Sequence, residues 1–172
     1  ADHQSLSRGA LVTSGFAGAE RMTEALGGLI WLELELFEVV GAWVSPAAEP
    51  ALKELFATQC YHHVWRAELL RPRLHAFGGV EPVGRIVPPN DRGPEFLDHL
   101  CDERDAVLRL AVLARVVLPG LWAAYSGVLA GCSAVSDGPT IRLAQKAIDD
   151  LVADWQQARH AIDGHGFGAR QV

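Results

Sequence analysis

The stretch Leu26–Leu74 decides the fold: LGGLIWLELELFEVVGAWV (residues 26–44), SPAAE (45–49), then PALKELFATQCYHHVWRAELLRPRL (50–74). At about 100° per residue, Leu26, Leu29, Ile30, Phe37, Val40 and Val44 fall on one helical face. Glu33 falls at the centre of that face. Glu35, Glu38, Trp31 and Ala42 fall opposite. In the second half, Leu52, Leu55, Phe56, Leu70 and Leu74 share a face interrupted by Gln59 and Arg66. His62 and His63 straddle it, and either could be the inward one. Ser45-Pro46 separates the two runs, because the residue before a proline avoids the helical region. Two helices joined by so short a turn are antiparallel neighbours. Counting from the turn puts Glu33 near the level of Gln59 and His62. A carboxylate facing a histidine inside an apolar bundle asks for a chemical reason.

Working outward, the spacing predicts helices over 19–44, 47–74, 95–131 and 139–163, with no strand. A loose arm is expected over 1–18 and a loose tail over 164–172. Residues Phe77 to Pro94 carry Gly78-Gly79, Pro82, Gly84, Pro88-Pro89 and Gly93-Pro94, so they read as a long, non-helical crossover. The third run places Leu97, Leu100, Val107, Leu108, Ala111, Leu118, Trp122, Tyr125 and Leu129 on one arc. Arg104 and Arg115 lie inside that arc, and Pro119-Gly120 predicts a kink. The fourth begins after Ser136-Asp137-Gly138-Pro139, a cap followed by proline. It turns Ile141, Ala144, Ile148, Leu151, Val152, Trp155, Arg159 and Ile162 inward.

Composition narrows the function classes. The 172 residues amount to about one domain. A net charge of −6 and the lack of a basic run disfavour nucleic acid as a partner. Glu33, Glu35 and Glu38 exclude the run 26–44 as a membrane span, so no membrane partner is expected. Residues 1–14 lack the apolar core of a signal peptide. Cys60, Cys101 and Cys132 show no paired spacing, which suits a reducing, cytoplasmic setting.

Two helical hairpins joined by one long crossover resemble the ferritin-like four-helix bundles. The resemblance covers about residues 19–163. It implies a carboxylate on one helix of each hairpin and Glu-x-x-His on its partner, holding two irons. Glu33 matches the first carboxylate. Gln59-Cys60-Tyr61-His62 matches Glu-x-x-His with glutamine in place of glutamate. The third helix offers Arg115 where a carboxylate is expected. On the fourth, Gln157-Ala158-Arg159-His160 has the spacing, but it and Asp154 lie off the apolar arc. The implied dimetal site therefore reads as degenerate. No cofactor is expected; iron or manganese is the alternative, with Glu33 and His62 as its ligands.

The inward polar set suggests instead an acid/base pocket for a small molecule. Glu33 with His62 and His63 would be catalytic, and Gln59, Arg66, Arg115, Trp122 and Tyr125 would bind substrate. Arg66 and Arg115 would suit an anionic one. Expected chemistry is an isomerisation, cyclisation or elimination in a bacterial biosynthetic pathway. The alternatives are a metal oxidase or oxygenase, and a non-enzymatic helical protein. A homodimer is one form of the latter, seated on Trp31, Trp43 and Trp65.

Overall fold

The computed structural model describes residues 18–75 and 81–164, so the arm before residue 18 and the tail after residue 164 lie outside the described residues. The described chain is all-helical. The helices are α1 (Ala19–Val44), α2 (Pro50–Leu70), α3 (Arg92–Asp102), α4 (Ala106–Val112), α5 (Leu118–Gly131) and α6 (Gly138–Gly164). A π turn, Leu113–Val117, joins α4 to α5, and 3-10 turns lie at Arg71–Arg73 and Pro82–Arg85.

The first hairpin is antiparallel. Going down α1 and up α2, Trp43 meets Phe56, Cys60 bonds the Phe37 carbonyl, and His63 reaches Glu33. Pro50 occupies the first turn of α2, where its missing N–H costs nothing, so the helix starts three residues later than expected. At the other end Pro72 tightens the chain into a 3-10 turn. The second hairpin is α5 against α6. Across the hairpins, α1 packs on α5 and α2 on α6.

The connection between the hairpins folds back onto α1. It crosses so closely at Gly27 that an added Cβ would sit 2.0 Å from the Arg85 carbonyl oxygen. Gly28 faces Pro89, and Gly93 faces Trp31. Helix α3 then lies along α1. Gly93-Pro94, expected to exclude a helix, sit in its first turn. The first four amides of a helix have no intrahelical partner, so proline is tolerated there. Asn90 Oδ1 accepts the amides of Arg92 and Gly93 at 3.0 and 3.1 Å.

The single third helix of the sequence reading is thus three pieces. Helix α3 stops at Asp102. Asp105 restarts the chain by accepting the amides of Val107 and Leu108. The π turn follows. Pro119 has no N–H to offer the Arg115 carbonyl, and the backbone opens into wider i→i+5 bonding there. Each interruption rotates the later residues about the helix axis, so the expected arc holds only in part: Leu97, Leu100, Leu118 and Tyr125 are buried as expected. Arg104, Leu108, Arg115 and Trp122 are exposed, while Arg109, Leu110, Leu113, Ala114 and Leu121 are buried. Residues 106–131 are long and apolar enough to cross a membrane by composition (mean hydropathy 1.7). Of their most apolar window, 39% is buried within the fold.

Candidate functional site

Five helix residues meet at the middle of the hairpins: Glu33 from α1, His63 and Arg66 from α2, Tyr125 from α5 and Asp154 from α6. All are at most 1% exposed. Oε1 of Glu33 accepts from Arg66 Nε at 2.7 Å and from Tyr125 Oη at 2.9 Å. Its Oε2 accepts from His63 Nδ1 at 2.6 Å. Arg66 Nη1 donates to Asp154 Oδ2 at 3.0 Å. Asp154 Oδ1 meets His62 Nδ1 at 2.8 Å, and His62 keeps 30% of its side chain exposed. Both histidines therefore engage the cluster, from opposite flanks of α2.

The Glu33 carboxyl is pushed up by burial, but the Arg66 charge and the His63 bond outweigh that and hold it below its usual 4.5. It is an anion. A bare Nδ1 lone pair 2.6 Å from a carboxylate would be repulsive, so Nδ1 carries the proton. Arg66 Nη2, 3.0 Å from the same nitrogen, is then a second donor facing it and no hydrogen bond. Burial lowers the His63 pKa below 6.5, more than Glu33 raises it. The imidazole is neutral near pH 7, with its basic lone pair on Nε2. That atom is buried without a protein partner among the described residues, as are both amide atoms of Gln59. Burial, then the Glu33 charge, drive the Tyr125 phenol well above 10.0, so it stays a donor.

Of the residues read from sequence, Glu33, Gln59, His63, Arg66 and Tyr125 are buried together, with His62 at the edge. Arg115 and Trp122 are outside. Arg115 lies in the π turn and borders a groove with Pro119, Trp155 and Arg159. Another groove runs between α1 and α5 past Ala25, Gly28, Ala124 and Gly127, and the cluster does not line it. Cys60 donates to the Phe37 carbonyl at 3.5 Å, and burial raises its pKa. Asp154, read as off the arc, is a central member. The arc expected from the sequence runs through Val152, Trp155 and Arg159. The buried strip of α6 is Ala144, Ala147, Leu151, Asp154, Ala158 and Ile162. Its small alanines mark the close approach of helices.

The residues do not fit a dimetal centre. The Arg66 guanidinium, raised above its usual value chiefly by Glu33 against the cost of burial, lies between the two carboxylates. A permanently charged guanidinium there excludes a second cation. Among the described residues no three His, Cys, Asp or Glu side chains are grouped to hold a metal. No protein-family model, curated protein or solved structure matches the chain.

Proposed function

We propose that this chain is a small-molecule enzyme or binding protein of acid/base type, working without metal inside a ferritin-like four-helix bundle. The observation that carries the reading is His63: a buried neutral imidazole, its Nδ1–H held by Glu33, its Nε2 left without a protein partner. That is how a general base is set up. The carboxylate fixes tautomer and ring, and balances the imidazolium formed when Nε2 takes a proton. Arg66 anchors Glu33 and ties it to Asp154. Tyr125 donates to Glu33, and His62 links the far carboxylate to the surface. Isomerisation, cyclisation and elimination all need one proton moved by such a group. The bundle reading is supported by two antiparallel hairpins, their cross-contacts and the long connection between them.

The substrate reading changes in one respect. Arg66 donates to Glu33 and Asp154, and Arg115 is exposed, so neither is free to bind a buried anion. An uncharged substrate fits better. The test is an NMR-monitored screen of small hydroxy, carbonyl and amide compounds. Binding is expected for the wild type and should be lost in His63→Ala, with His63→Gln as a milder variant in case the first fails to fold. Folded His63 and Glu33 variants that bind as well as wild type would sink the proposal. Elemental analysis finding two irons per chain would return the oxidase reading.

A second reading, a helical interaction protein, draws on exposed Leu108, Val116 and Trp122 along the α4–α5 segment. The tryptophans that the sequence suggests for a homodimer serve less well. Trp43 is fully buried under α3, with its Nε1 on the Leu100 carbonyl, and Trp31 and Trp65 are half-buried. Light scattering that finds only monomer at high concentration would count against self-association.

A further inference from the structure

We propose that Gln59 and His63 Nε2 form a buried two-point site for one small uncharged group carrying two hydrogen-bond donors beside an acceptor, such as a primary amide. The inference rests on the reading of His63 as the working base and says what that base receives. Gln59 and His63 are four residues apart on α2, so their Cβ atoms lie about 5–6 Å apart on one face. Both residues are fully buried. Three of their polar atoms lack a protein partner: Gln59 Nε2, Gln59 Oε1 and His63 Nε2. Such orphans are rare in folded proteins and point to something bound.

The surroundings explain why no protein group answers. One turn along the antiparallel helices from the level of Glu33 come Leu36 on α1, Leu121 on α5 and Ala158 on α6. All three are buried and apolar, so they offer neither donor nor acceptor. A direct bond from the Gln59 amide to His63 Nε2 would satisfy two of the three atoms and leave Oε1 bare. A third group satisfies all three when it donates to Oε1 and Nε2 and accepts from the Gln59 amide. The uncharged class follows from burial and from charge. An anion would be fully desolvated and would face the Nε2 lone pair beside the Glu33 carboxylate. A cation would be desolvated beside the Arg66 guanidinium.

Water has the same hydrogen-bonding chemistry, so the experiment must tell it from an organic ligand. The full chain is crystallised at high resolution with and without acetamide. The histidine 15N shifts of wild type, Gln59→Leu and His63→Gln are followed as acetamide is added. The expected result is a non-protein group bridging Gln59 and His63 Nε2, displaced by acetamide, with a shift confined to Nε2 of His63. Gln59→Leu should weaken acetamide about tenfold, the size of one or two neutral hydrogen bonds. A direct Gln59–His63 bond with nothing between overturns the site. So does a water that acetamide never displaces, or a Gln59→Leu variant that binds as wild type. If Gln59→Leu binds unchanged while His63→Gln loses binding, the two-point site fails and the base survives. If both bind unchanged, both readings fail.

Discussion

Glu33 shows how much one residue can hold. Its two oxygens accept from three partners on two other helices, Arg66 and His63 on α2 and Tyr125 on α5, while its own backbone belongs to α1. Removing its charge leaves Arg66 buried against Asp154 alone. Breaking one side of a buried pair typically costs about 3–5 kcal/mol. Glu33→Gln should therefore lose roughly that much in urea unfolding. Tyr125→Phe removes one hydrogen bond to a charged group and should cost about 2 kcal/mol. If both substitutions cost nothing, the cluster would not be the linked unit described. Glu33 was legible in the sequence because a lone carboxylate amid Leu29, Ile30 and Val40 stands out on a wheel. Asp154 was not, because three of its companions on the buried strip, Ala144, Ala147 and Ala158, carry little weight in an apolar arc. Which histidine faced inward was undecidable from spacing, and the geometry uses both.

At the scale of elements, the two helices bounded by plain punctuation were read closely. Ser45-Pro46 and the Asp137-Gly138-Pro139 start mark backbone constraints that act locally, so they are visible in a single sequence. The middle of the chain was read with too simple a period. A break near Asp105 and a π turn before Pro119 each shift the phase, and a wheel drawn at 100° per residue carries the error onward to Trp122. The packing of the connection on α1 was also hidden, since Gly27 and Gly28 look like mere helix weakeners until Arg85 and Pro89 are seen against them. This gives a paired prediction. Gly27→Ala puts a Cβ into the Arg85 carbonyl and must push the connection away, costing about 1–3 kcal/mol. Gly120→Ala has nothing within 4 Å and should stabilise α5 by up to about 1 kcal/mol. Thermal melts of the two variants should move in opposite directions. Equal shifts would mean that the connection does not rest on α1.

The molecule gathers the buried Glu33, His63, Arg66, Tyr125 and Asp154 into one cluster, and that makes its stability a function of pH. His63 titrates below 6.5 in the folded chain, so beneath that value the unfolded chain binds a proton that the native one refuses. Stability then falls as pH drops, until the native imidazole itself protonates. Glu33 is held below 4.5, so the stability it contributes is complete above that value and is lost as pH falls through its lowered native range. Tyr125 works in the other direction. Its native phenol keeps its proton well above 10.0, while the unfolded one releases it there, so stability declines again as pH rises past that point. The unfolding free energy should thus form a plateau between the histidine value and about 9.0, where the raised Cys60 and Cys132 thiols join the alkaline decline. Each unmatched proton contributes a slope of about 1.4 kcal/mol per pH unit. Urea unfolding across the range measures this. His63→Gln should flatten the limb between 6.5 and 4.5 and leave the carboxylate limb below it. Tyr125→Phe should lessen the alkaline fall and leave the share that comes from the raised Cys60 and Cys132 thiols. A profile that His63→Gln leaves unchanged would show that the imidazole is not held neutral in the fold, and a base with a free Nε2 requires that it is.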